Sequence, residues 1–353
     1  MKKLFPTTLI VMLILTLVTT GCGGSNSTPT PTPTTIYTAG YINDGYERAC
    51  YWTNNNTTPT IVGANGSNSR ANSICVSGGN IYIAGYICNS SNKTQACYWT
   101  NSDQNPTILG PVDSSATSIC ISGGNIYTAG EITVNGRSNA CYWMNSDTEP
   151  TNLHPTGTTF STANAICFSG GTIYTAGYYF DGTYTIACFW TKNSPSPTKF
   201  DVTKTNSQGL AICVSEGNIY TAGAIKKEDS TKYQACYWTN TKKDPTVVGA
   251  DGSTSWANSI YAAGGIIYTA GFIDDGYDRA CYWTNSNQTP TIIGAAGTDS
   301  RINGIYVSGG NIYTAGYMND GSHGRACYWM NTGSATYVGL TGFNSFGQSI
   351  CVQ

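Results

Sequence analysis

Few side chains in this sequence are equipped for chemistry. Its 353 residues include 2 histidines, 19 acidic residues, 17 basic residues and 14 cysteines, and only 10% of positions are charged. A Ser/His/Asp site needs a histidine held by a carboxylate, but His154 and His323 stand in dissimilar loops with no motif around them. Acid–base pairs need two carboxyls converging on one pocket. Asp44, Asp181, Asp275 and Asp320 instead precede glycine in equivalent turns, which spreads them around a rim. Asp274, Asp275 and Asp278 form the richest acidic group and are a weak cation candidate, although a calcium loop would place more acids at alternate positions. No glycine-rich loop is followed by the lysine and helix that cradle phosphate.

The cysteines fall into classes. Apart from Cys22, seven lie in ACYW or ACFW phrases, five in an SICVS-like position (Cys75, Cys120, Cys167, Cys213, Cys351), and Cys88 stands alone. Tyr261 and Tyr306 replace the SICVS cysteine in two copies, so pairing one class with the other would leave orphans. There is no CxxC spacing, and two histidines are too few for a zinc cluster. The expectation is free thiols acting as small buried hydrophobes, with no metal and no cofactor. A net charge of -2 offers no basic track for a phosphate backbone, so nucleic acid is not an expected partner.

The elements that would position these residues repeat. IYTAG or IYIAG ends at Gly40, Gly85, Gly130, Gly177, Gly223, Gly271 and Gly316, at intervals of 45, 45, 47, 46, 48 and 45 residues. After each comes an ACYW-like phrase, then a short Pro-Thr-aliphatic run, then an SICVS-like run. Each repeat thus offers four short β-prone runs bounded by Gly, Asn, Asp, Ser and Pro, which is the size of a propeller blade. The repeats open on IYTAG without its SICVS partner, and that partner returns as Ser349–Gln353. The predicted fold is therefore an all-β, seven-bladed β-propeller with four antiparallel strands per blade, closed by the C-terminal strand completing the first blade. The tryptophan recurring in ACYW is expected to pack between blades, and the Ala-Gly pair of IYTAG to let a neighbouring blade approach. The strand order and its aromatic and Asp-Gly cues resemble kelch-type propellers, although Ala39-Gly40 and its equivalents replace the kelch double glycine. The repeat is similar to the VYVAGY and YWKNG repeats of bacterial lipoproteins, which implies fold and location.

Ahead of the repeats, Lys2-Lys3, the apolar run Leu9 to Val18 and the small residues before Cys22 form an export signal. This stretch resembles a bacterial lipoprotein signal peptide, which implies cleavage before Cys22 and acylation there. The resulting organisation is a signal peptide over 1–21, an acylated cysteine and Thr/Pro-rich linker over 22–35, and a propeller over 36–353. The implied location is the cell envelope, anchored to a bacterial membrane by N-terminal acyl chains, with the outer membrane or cell surface favoured over the inner membrane.

Ligands of propellers sit where the loops after IYTAG and before SICVS emerge together. Residues that break the repeat near that face are Arg70, Glu131, Arg137, Trp256, Arg301 and His323. The expected role is a noncatalytic binding or interaction scaffold with a protein or glycan ligand. The alternatives are a carbohydrate-active lyase or hydrolase working at the channel mouth, and a purely structural surface protein.

Overall fold

A computed structural model describes residues 34–192, 195–200 and 205–353. The signal sequence, Cys22 and the linker up to residue 33 lie outside the described residues. Twenty-eight strands form seven four-stranded antiparallel sheets, with no helix among the described residues. Blade 1 joins Asn344–Val352, Ile36–Asn43, Glu47–Thr53 and Thr60–Ile61, in that order outward. The innermost strands of blades 2 to 7 are Ser69–Ser77, Ser114–Ser122, Phe160–Ser169, Thr205–Ser215, Thr254–Ala263 and Ser300–Ser308. The ring closes as the repeat phase requires. Tyr37 pairs with Cys351 and Asn43 with Asn344, and Thr35 exchanges backbone hydrogen bonds of 2.6 and 3.0 Å with Gln353.

Local chemistry shapes each blade. Gly78 and Gly79 take φ angles of 57° and 77°, the left-handed pair that turns a two-residue hairpin in register with the sheet twist. After the tryptophan, Asn54 also turns left-handed (φ 53°), and its Oδ1 accepts the Ile36 N–H at 2.9 Å, capping the second strand. Asn101, Asn145, Asn240, Asn285 and Asn331 repeat that conformation, and Lys192 adopts it in blade 4.

Every innermost strand carries a β-bulge. In blade 2 the pairing slips between Ala71 and Ser73, leaving Asn72 unpaired, and the same slip recurs in the other six blades. The bulge explains the IYTAG glycine. A Cβ on Gly85 would overlap the carbonyl oxygen of Arg70, which the bulge pushes across the pair. The glycine is thus required by its own blade's bulge, whereas the preceding alanine meets the neighbouring blade, Ala39 clustering with Trp99.

The bulges also tie blade to blade. Asn72 Nδ2 donates to the Ala116 carbonyl of blade 3, and Asn164, Asn258 and Asn303 make the equivalent bond, all at 2.8 Å. One residue on, Ser73 Oγ accepts the Ile119 N–H of the next blade at 3.2 Å, as Ser118, Ser259 and Ser349 do for theirs. Farther out, Ser69 Oγ accepts the Ala49 N–H of the preceding blade at 3.0 Å, and this buried serine bond recurs at all seven boundaries. These side chains cover strand edges that would otherwise present unpaired N–H and C=O groups.

Between the sheets lies one tryptophan per blade, Trp52, Trp99, Trp143, Trp190, Trp238, Trp283 and Trp329, each at most 1% exposed. Trp238 of blade 5 stacks on Phe200 of blade 4 at 4.9 Å. No indole N–H among the seven has a hydrogen-bond partner among the described residues. Burying ~150–250 Å² of aromatic surface contributes roughly 4–6 kcal/mol at ~25 cal/mol per Å², against a cost of about 1–3 kcal/mol for an orphaned donor. Packing therefore outweighs the lost hydrogen bond.

Candidate functional site at the channel mouth

The channel wall is lined by the bulge residues and by the residues that follow them, Ser73, Ser118, Ser259 and Ser349 in four blades, around a cavity of about 140 Å³. Toward the loop face, the innermost strands present Phe346, Arg70, Ser115, Thr162, Gln208, Trp256 and Arg301 at one equivalent position in blades 1 to 7. Paired with these on the second strands are Tyr41, Tyr86, Glu131, Tyr178, Ala224, Phe272 and Tyr317. Seven sectors that are nearly identical lower in the wall become different here.

Four of the mouth residues fit a slot on the preceding blade, and the slot changes with its occupant. Arg70 lies 4.4 Å over the Tyr41 ring and makes a bidentate ion pair with Glu47, at 2.6 and 2.5 Å. Arg301 repeats this at the opposite side of the closure, 4.3 Å over Phe272 and paired through two nitrogens with Asp278. The Glu47 hydrogen bond pushes the Arg70 guanidinium above its ordinary range. Trp256 sits 4.5 Å from Tyr233, where Ala224 stands in place of an aromatic ring. Phe346 meets Tyr317 edge-on at 4.9 Å, and Gly324 makes room for it, since a Cβ there would press on the Phe346 ring.

Glu131 differs from the other mouth acids. It is half-buried, its carboxyl is pushed up by desolvation and held back by Ser138, and no cation among the described residues pairs with it. It bears electrostatically on Tyr178, whose hydroxyl is also raised by burial. Arg137 is exposed on the hairpin of the same blade, and its backbone pairs with Val134 rather than beside Glu131. His323 lies in the blade 7 turn, where its N–H donates to Asp320 Oδ1 at 2.9 Å. Backbone donors from His323 and Ser322 hold Asp320 below the usual carboxylate range.

The acidic group of blade 6 is brought together with arginines. Asp275 pairs with Arg279 at 2.8 Å, Asp278 pairs with Arg301, and Asp274 Oδ1 accepts the Gly276 N–H at 3.0 Å. No group of three or more metal-ligating side chains occurs among the described residues. His154 Nδ1 lies 2.8 Å from Ser161 Oγ, an arrangement that resembles two-thirds of a triad. Ser161 is nonetheless the buried boundary serine of its blade and already accepts the Ala140 N–H at 2.9 Å. Sequence reasoning missed Glu47, Tyr233 and Ala224, because their significance appears only when one repeat is set against the next.

No family model matches the chain, and no curated protein matches it in sequence. Among solved structures its fold is similar to that of a puromycin-hydrolysing peptidase of Mycobacterium tuberculosis, with a TM-score of 0.57 and 9% identity over 87% of this chain and 52% of that one. A Trypanosoma rangeli sialidase aligns with a TM-score of 0.45 and 10% identity, over 82% of this chain and 49% of the other. The chain therefore spans about half the length of these proteins, and the likeness is one of fold.

Proposed function

We propose that this chain is a lipid-anchored, extracytoplasmic propeller that binds a ligand at the loop-face mouth of its channel without transforming it. The observation that carries this reading is the break in symmetry. The mouth position holds Phe346, Arg70, Ser115, Thr162, Gln208, Trp256 and Arg301, whereas five residues farther along the same strands only cysteine and tyrosine occur. Arg70 and Arg301 keep 38% and 42% of their side chains exposed, so their outer faces remain open to a polar protein or glycan partner. Glu131 adds a carboxylate that no arginine pairs among the described residues. Envelope attachment through Cys22 is supported by the export signal that precedes it.

The raised Glu131 carboxyl is the observation that favours a hydrolase or lyase instead. A two-carboxyl mechanism needs a second acid, and Glu47 and Asp278 are already held by Arg70 and Arg301. That arrangement supports binding over turnover.

The test is a glycan and peptide array probed with the wild type and with Glu131→Gln and Trp256→Ala. Binding that falls at least tenfold in a mouth variant, with the captured ligand recovered intact, agrees with the proposal. Binding indifferent to both substitutions, or a cleaved ligand, removes it. Loss of radiolabelled palmitate from Cys22→Ser checks the anchor separately.

A further inference from the structure

The innermost strands hold, past their bulges, a second chemical feature that the binding mouth does not use. Cys351, Cys75, Cys120, Cys167 and Cys213 occupy one equivalent position on the innermost strands of blades 1 to 5, three residues past each bulge. Tyr261 and Tyr306 complete the ring in blades 6 and 7.

Each of these side chains leans across a boundary toward the next blade. Cys351 packs in the cluster that holds Ile74, Cys75 in that of Ile119, Cys120 in that of Ile166, and Cys167 in that of Ile212. The approach is close. The Cys351 thiol bears electrostatically on Cys75, those of Cys75 and Cys167 on Cys120, and that of Cys167 on Cys213. Where the ring holds tyrosines, Tyr261 and Tyr306 meet across the boundary with ring centroids 5.0 Å apart.

Exposure separates these thiols from those of the third strands. Cys75, Cys120, Cys167 and Cys213 are partly exposed, as is the isolated Cys88, and Cys351 keeps 7% of its surface exposed, whereas the seven third-strand cysteines are sealed between blades at 0%. A small reagent can therefore meet one class and not the other.

We propose that this arc of five thiols is an oxidisable site, in which neighbouring cysteines of consecutive blades couple into inter-blade disulfides when a disulfide oxidant enters the channel. One thiolate attacks the oxidant's S–S bond, forming a mixed disulfide and releasing one small thiol. The neighbouring thiolate then displaces the second small thiol and closes the bridge. Two protein thiols are oxidised, the oxidant is reduced to two thiols, and the two protons leave on those thiols. Five thiols in a row permit at most two such bridges.

The experiment treats the native full chain with oxidised glutathione at mildly alkaline pH, because burial holds the Cys75 thiol up at about 11. Remaining thiols are then alkylated under denaturing conditions, and peptic peptides are read by mass spectrometry. The expected result is a loss of up to four free thiols, with bridges confined to 351–75, 75–120, 120–167 and 167–213. Cys120→Ser should abolish the two central bridges and keep the outer two. Cys213→Tyr, which installs the residue that blades 6 and 7 carry at this position, should remove only 167–213 and serves should the serine variant fail to fold. Glutathione adducts without bridges, no change in thiol count, or bridges involving third-strand cysteines would each overturn the proposal.

Discussion

The two ends of one innermost strand follow different rules. At the position of Cys75 the seven blades use two residue types, and at the position of Arg70 they use six. The constant end leans into the next blade and packs partly buried against its Ile and Ala side chains. The variable end meets a slot of two side chains, and slot and occupant have changed together: arginine with an acid and an aromatic ring, tryptophan with alanine, phenylalanine with glycine. A near-perfect repeat can thus be diversified without loosening the ring, provided that each change has a partner on the preceding blade.

The largest test of this contrast sets tryptophan against tryptophan. Trp143→Ala, in the dry layer between blades 2 and 3, should lower unfolding free energy by about 3–5 kcal/mol. Trp256→Ala, at the half-exposed mouth, should cost about 1 kcal/mol by the same denaturant titration. Equal losses would erase the distinction between wall and mouth. A smaller effect concerns what holds the arginine slots. In a double-mutant cycle of Arg70→Met and Glu47→Gln, the partly exposed pair should show a coupling of roughly 0.5–1.5 kcal/mol that shrinks in high salt. A coupling near zero would mean that Arg70 is held by its contact with Tyr41 instead. The smallest effect repairs a gap in the wall. Ala165 stands where Ser73 and Ser118 supply an oxygen, so it offers none to Ile212 of the next blade. Ala165→Ser should raise stability by about 0.5–1 kcal/mol, seen as a higher midpoint of thermal unfolding. A lower midpoint would show that the site has no room for the hydroxyl.

Much of this architecture was legible because repetition exposes it. The recurring IYTAG and ACYW phrases set the blade, and the displaced SICVS-like run at Ser349–Gln353 marked the closure, which the pairing of Tyr37 with Cys351 bears out. The bulge was not legible. Asparagine fills it in four blades and bonds to the next, but Thr117, Leu210 and Gln348 fill it in the others, and what all seven share there is an extra backbone residue rather than one side chain. For the same reason the IYTAG glycine was assigned to a neighbour's approach, when the obstacle is a carbonyl of its own blade. The mouth residues were found as departures from the repeat, but their partners were hidden. Glu47 and Arg70 belong to different blades, 23 residues apart, and no local spacing joins them.

Because blade 1 is stitched from segments more than 300 residues apart, the toroid has a seam whose last stitch is made by the last of the twenty-eight strands in chain order. Six blades can pair their strands as the polypeptide emerges, but the first must wait with one flank bare. Relocating that seam by circular permutation, into any Gly-Gly hairpin, would give every blade its strands from contiguous chain except the one cut anew. The order of assembly would move while the finished wheel stayed the same.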